Sequence, residues 1–142
     1  MALNNHKIYL FVHVIFSVRE RKTLLRKPIR TVLLAHLQKD AAEKGTKVTA
    51  INGVDDHIHL LIQLHPAQNL LQIVKSLKAE SADWINHSNF LQEPFEWEEG
   101  YAAYSVSPSG VKQVIDFIGK QEEYHKSKSL ESELEVFDKV QL

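Results

Sequence analysis

Ile8 to Ser17, read as Ile-Tyr-Leu-Phe-Val-His-Val-Ile-Phe-Ser, is an almost unbroken apolar run rich in β-branched and aromatic residues. A run of this make-up and length describes a strand covered on both faces, and it is too short to cross a bilayer. It is therefore the first and central strand of a sheet, and the rest of the chain has to cover it.

The segments that follow supply the cover. After a polar loop, Pro28 opens a helical pattern in which Ile29, Val32, Leu33, Leu37 and Ala41 recur at helical spacing up to Gly45. Residues 46–54 and 56–64 alternate as strands that meet in a Gly/Asp turn at Gly53 to Asp56. A second helix runs from Asn69 to about Asn86, with Leu70, Ile73, Val74, Leu77, Trp84 and Ile85 facing inward and Lys75 and Lys78 flanking. A short strand at Tyr101 to Val106 leads to a third helix striped by Val111, Val114, Ile115 and Ile118, with Ser107 or Ser109 as its cap. The order predicts an α+β fold of the ferredoxin-like or RRM-like split βαβ type, an antiparallel sheet with helices on one face. One domain of 142 residues is expected, with its core at about 8–126 and an acidic helix or tail at 127–142.

Composition narrows the setting. The absence of cysteine excludes disulfides and thiolate metal sites, and neither a leader-like start nor a membrane span is evident, so a cytoplasmic protein is expected. The net charge of −1 hides a division: residues 1–50 carry +7 and residues 51–142 carry −8. Arg19, Arg21, Lys22, Arg26, Lys27 and Arg30 form a basic cluster able to contact phosphates, or simply a solvated loop and helix face.

The segment Asp55-Asp56-His57-Ile58-His59-Leu60-Leu61-Ile62 carries the chemistry. Side chains alternate across a strand, so His57 and His59 share one face and can grip one metal ion, while Ile58, Leu60, Ile62 and Leu64 point to the core. With eight histidines in the chain, a lone His-x-His can also arise by chance on a half-exposed strand. On the third helix Phe117, Gln121 and Tyr124 fall together on a flank beside the apolar stripe. Gln121 can offer a carbonyl oxygen to a hard cation, and a phenol at 117 or 124 can reach a phosphate near it.

These residues, in this order, resemble the single-tyrosine HUH transposases of the insertion-sequence 200/605 type, including the REP-associated tyrosine transposases. The likeness runs from about residue 9 to residue 137. It begins with His13-Val14-Ile15-Phe16-Ser17 and Arg21, then takes in Gly53 to Leu61, Leu77-Lys78, Ser81 and Trp84. It continues through Phe95-Glu96-Trp97, Gly100-Tyr101, Tyr104 to Ser107, Phe117-Ile118, Gln121-Glu122 and His125-Lys126. One position departs from the pattern. The family's catalytic tyrosine precedes the Ile of a Tyr-Ile-x-x-Gln motif, and here that place holds Phe117, which has no oxygen to attack phosphorus. An engineered substitution that traps an uncleaved complex, a natural member that binds without cutting, and the use of Tyr124 as nucleophile are the three explanations. Tyr124 stands roughly 10 Å further along the helix axis, which disfavours the last.

The resemblance implies a catalytic helix on the second face of the sheet and a metal site of His57, His59 and Gln121 holding Mg²⁺ or Mn²⁺. It implies a 5′-phosphotyrosine intermediate, and single-stranded or hairpin DNA as partner. It also implies a homodimer, whose tyrosine helix can serve the partner subunit's histidines. His13 approaches the same face but reads as a hydrogen-bonded structural residue. Trp97, Tyr101 and Tyr104 are either core and edge aromatics or platforms for unpaired bases. Three further readings are a non-catalytic DNA-hairpin-binding regulator, an RRM-like RNA-binding module and a plain structural dimer.

Overall fold

The structure, a computed structural model, describes residues 6–126 and 129–138. The rest of the segment expected as an acidic tail, 127–128 and 139–142, lies outside the described residues. In chain order the elements are β1 (Leu10–Ser17), α1 (Lys27–Glu43), β2 (Lys47–Gly53), β3 (His57–Leu64), α2 (Leu70–His87), β4 (Ala102–Val106), α3 (Val111–Gly119), the one-turn α4 (Gln121–Tyr124) and α5 (Leu130–Asp138). The strands form one antiparallel sheet in the order β2-β3-β1-β4, with β1 central as its composition requires. This is the split βαβ arrangement.

Alternation divides the side chains of β1 and β3 between the two faces. Val14, Phe16, Ile58, Leu60 and Ile62 meet Leu33 and Leu37 of α1 and Val74, Leu77 and Ile85 of α2, and all are buried. Each such side chain contributes about 1.5–3 kcal/mol on burial. Val32, expected in this core, is 40% exposed, because α1 turns its Leu33, Leu37 and Ala41 inward instead. On the second face His13, Ile15, His57, His59 and Leu61 are buried, and α3 packs there against β2 and β3.

Local chemistry sets the ends of the elements. The α1 chain stops at Gly45, whose φ of +75° is a left-handed conformation, and the Thr46 amide returns to the Ala41 carbonyl at 2.8 Å. Asn69 caps α2 by accepting from the Gln72 amide. The third helix starts differently from expectation. A 3₁₀ turn at Pro108–Gly110 precedes it, Gly110 occupies the cap position without a side-chain bond, and the Ser107 and Ser109 hydroxyls bond each other at 3.1 Å. The turn nucleated at Pro108 moves the start of α3 beyond the reach of either serine. The helix also breaks at Lys120, where φ −103° and ψ 21° depart from helical values. There Asn52 of β2 donates to the terminal Ile118 carbonyl at 2.9 Å, which satisfies a helix-end acceptor and pins α3 to the sheet.

Candidate metal centre

The second face of the sheet is where the predicted site residues meet. In the register His57 lies opposite Ser17, His59 opposite Ile15 and His13 opposite Leu61. His13 and His59 are therefore diagonal neighbours, and their rings join through His13 Nε2 and His59 Nδ1 at 2.7 Å. His57 Nδ1 contacts Asp56 Oδ1, also at 2.7 Å. Each β3 histidine thus has its outer nitrogen engaged and its Nε2 turned to a common interior point.

Two further residues converge on that point. His125, just after α4, brings its Nε2 to 3.1 Å from His57 Nε2, and Glu133 of α5 brings Oε1 to 2.8 Å from His59 Nε2. Glu133 Oε2 stands 3.2 Å from His125 Nε2. One ligand atom from each of His57, His59, His125 and Glu133 lies within 4.8 Å of every other. Gln121 is fully buried beside them, its Nε2 donating to Glu133 at 3.1 Å and its Oε1 3.1 Å from His125 Nε2.

The donor set fits a divalent cation. Metal-binding histidines usually give their second ring nitrogen to a carboxylate or other acceptor, as the His57–Asp56 contact does here. His59 Nε2 and Glu133 Oε1 are buried and close, yet neither takes part in a hydrogen bond of acceptable geometry. That is the arrangement of two atoms directed at a shared third centre rather than at each other.

The electrostatics agree. Burial alone would raise the Glu133 carboxyl, but the His125, His57 and His59 imidazoles gathered around it outweigh that and hold the group well below the usual carboxylate range. Burial works against a charge on His57 as well, and its bond to Asp56 together with the nearby Glu133 carboxylate more than compensates, so its imidazole rises. Burial, aided by the charge of His57, lowers His59. His13, behind His59, is pushed down to about 3 by burial and by His59.

The aromatic pair expected on this flank is present despite the helix break. The Phe117 ring lies 5.9 Å from His59 and 6.2 Å from His13, edge-on to both, and 5.4 Å from Tyr124. Burial and the nearby Glu133 charge raise the Tyr124 phenol, making its phenolate less available. His125 lies one helical turn after Gln121, an i, i+4 signal visible in the sequence but not drawn on as a ligand. Glu133 had no such signal among the acidic residues of the C-terminal segment. Because α3, α4 and α5 cover this face and His13 and His59 are buried, the central strands offer no open base-stacking platform of the RRM kind.

Comparison with known proteins accords with this geometry. Residues 6–121 match the family described as "Transposase IS200 like". The chain belongs to the IS200-like transposase family. It is 27% identical over 114 residues to the ISDra2 transposase TnpA of Deinococcus radiodurans, covering 77% of this chain and 81% of that protein. Its fold is shared with a Deinococcus radiodurans protein, described as a transposase, whose crystal structure superposes with a TM-score of 0.68 at 24% identity over 85% of this chain and 97% of the other. A REP-associated tyrosine transposase bound to a REP hairpin gives a TM-score of 0.62 at 15% identity, covering 88% and 74%.

In this IS200-like chain the basic residues expected to contact DNA divide into three groups. Arg26 and Lys27, at the start of α1, are exposed. Arg19, Arg21 and Lys22 are paired with Glu96, Glu131 and Glu93, respectively. Exposed pairs of this kind are weak, so a phosphate can compete for those cations. Arg30 corrects the expectation. Its side chain is 7% exposed and its guanidinium is committed to the Leu25 carbonyl, Asp55 and Glu122 at 2.7–2.9 Å, because α1 carries it inward beneath the β2–β3 turn. It braces the fold rather than facing solvent.

Trp97 is a core residue. It packs edge-on against Phe16 and Phe95, and its indole donates to Ser81 at 2.9 Å. Tyr101 is half-buried against the same core, and Tyr104 is half-buried on β4. Among the described residues no helix is long and apolar enough to cross a membrane.

Proposed function

We propose that this IS200-like transposase is a metal-dependent protein of the HUH single-tyrosine type that binds single-stranded, hairpin-forming DNA. In the form described by this sequence it does not make the 5′-phosphotyrosine link, because Phe117 occupies the nucleophile's place. The observation that carries this reading is the Phe117 ring lying edge-on against His59 and His13, at the rim of a buried cluster suited to a cation.

His57 and His59, with Gln121, hold Mg²⁺ or Mn²⁺ in the DNA-competent state. When bound, such an ion polarises the scissile phosphate and steadies the departing 3′ oxygen. Asp56 and His13 orient the two imidazoles, and Asn52 holds the end of α3 so that residue 117 faces them. A tyrosine at 117 would bring its hydroxyl to this rim, whereas Tyr124 has a phenol disfavoured for ionisation. Arg26 and Lys27, with Arg19, Arg21 and Lys22 once released from their carboxylates, form the phosphate-contacting surface. The protein acts in the cytoplasm as a homodimer and a single domain spanning residues 1–142. The hairpin-bound relative supports the DNA partner.

The test is a denaturing-gel assay on hairpin-forming single-stranded DNA with Mn²⁺, comparing the chain as given with Phe117→Tyr. A covalent protein–DNA band confined to Phe117→Tyr is the expected result. Tight binding with no band from either protein would instead establish a dedicated hairpin-binding regulator, and a band from the unaltered chain would move the nucleophile to Tyr124.

A further inference from the structure

The C-terminal helix takes part in the metal site in a way that the two β3 histidines alone do not foretell. Glu133 has a side chain 1% exposed, in a segment otherwise rich in solvated acids. Burying a carboxylate costs several kcal/mol unless compensating groups surround it. Here three imidazoles do so, each through its Nε2.

We propose that, with α5 seated, His57, His59, His125 and Glu133 form a closed four-ligand site for a zinc-type ion, Glu133 filling the position that a catalytic site leaves open for substrate. The proposal deepens the metal reading above and rests on it.

Ligand spacing supports the assignment. Ligands about 2.0–2.1 Å from a tetrahedral zinc ion stand about 3.3 Å from one another. His57 and His125 Nε2 stand 3.1 Å apart and Glu133 Oε1 stands 3.6 Å from His57 Nε2 and 2.8 Å from His59 Nε2, near that value, while His125 meets the other Glu133 oxygen, Oε2, at 3.2 Å, and the four ligand atoms all lie within 4.8 Å of one another. Donor chemistry points the same way. Three imidazoles and one carboxylate suit zinc, whereas magnesium favours oxygen ligands, octahedral geometry and several retained waters, for which this buried set leaves little room. Asp56 orients His57, His13 orients His59, and the Gln121 amide holds Glu133, so each of these ligands has a positioning residue.

The same seating closes the site to DNA. Glu131, on the same helix, pairs with Arg21 at 2.7 Å, and Leu130 is buried alongside. α5 therefore places one carboxylate on the ion site and another on a basic residue of the proposed phosphate surface. A phosphodiester reaches the centre only when α5 withdraws, whereupon Gln121 can take its place beside His57 and His59 for magnesium or manganese. In this scheme zinc holds α5 down and magnesium does not.

The test uses the full chain stripped with EDTA and then titrated with Zn²⁺, Mg²⁺ and, as a spectroscopic probe, Co²⁺. The expected result is one ion per chain, a four-coordinate Co²⁺ visible spectrum, and retention of Zn²⁺ against excess Mg²⁺. Glu133→Gln and His125→Ala should each weaken Zn²⁺ by at least about tenfold, given that loss of even an outer-shell partner costs about 10–100-fold. They should also shift the cobalt spectrum away from four-coordination. Hydrogen exchange across residues 130–138 should slow on adding Zn²⁺ to the unaltered chain but not to Glu133→Gln, with circular dichroism in EDTA verifying that each variant is folded.

If His57→Ala abolishes binding while Glu133→Gln and His125→Ala leave affinity, spectrum and exchange unchanged, the closed set is overturned and the two-histidine metal site survives. If His57→Ala also binds as the unaltered chain does, or no ion binds at all, the metal reading itself fails.

Discussion

Replacing Arg30 with methionine separates the two roles that its charge allows. Its guanidinium donates to the carbonyl of the fully buried Leu25, a charge-assisted bond of about 1.5–3 kcal/mol whose loss leaves that acceptor unsatisfied. Its ion pairs with Asp55 and Glu122 add less, because those carboxylates are 58% and 50% exposed and regain water when the arginine is removed. About 0–1 kcal/mol each is appropriate for partners so solvated. Methionine retains most of the packing of the aliphatic stem. The sum is about 1.5–5 kcal/mol, or roughly 6–20 °C in melting temperature at about 4 °C per kcal/mol for a chain of this size.

Equilibrium urea unfolding measures the first quantity, read as a lower midpoint at unchanged slope. The salt dependence of hairpin binding measures the second: Arg26→Ala or Lys27→Ala should each reduce the logarithmic slope by roughly 0.7–0.9 for every phosphate left without its cation, while Arg30→Met leaves it alone. A stable Arg30→Met protein whose slope falls by that amount would refute the strut and return Arg30 to the DNA surface.

Two other outcomes follow from the site's surroundings. A methyl group added at Gly53 would lie 2.8 Å from both the His57 carbonyl and Ile58 Cγ2, so Gly53→Ala should lose about 1–3 kcal/mol by thermal or urea unfolding, and unchanged stability would show that the turn can give way. His13 is held at about 3, well below its ordinary 6.5, so between those values the unfolded chain binds more protons and stability falls as pH drops. The fall is at most about 1.4 kcal/mol per pH unit from this group. His57, whose value is raised, contributes its opposite dependence above pH 6.5, and Glu133 adds to the acid-side loss below its ordinary value of 4.5. Urea unfolding in EDTA from pH 7 to pH 4 should therefore be less steep for His13→Asn; an equal slope would contradict the assignment.

Much of the fold was legible because it depends on periodicities the chain carries locally. The apolar run in β1, the alternation in β3 and the helical stripes of α1 and α2 each specify an element and the face it buries. The departures occur where neighbours intervene: Pro108 starts a tight turn that removes the expected serine caps, and Asn52 secures a helix end where the pattern alone suggested continuity. Arg30 shows the same limit, since no feature of a basic run tells which member will be turned under a loop from another part of the chain.

The sequence by itself determined the split βαβ order, the pairing of His57 with His59 on one face, and the absence of a hydroxyl at residue 117, because strand alternation and side-chain identity are local properties. Only the tertiary structure decided that His13 braces His59, that His125 faces His57 across the sheet–helix boundary, and that Glu133 of α5 reaches the same point. Those contacts span 46 residues between His13 and His59 and 68 between His57 and His125, where no periodicity operates. They arise from chain packing, which gathers groups whose spacing in sequence carries no record of their meeting.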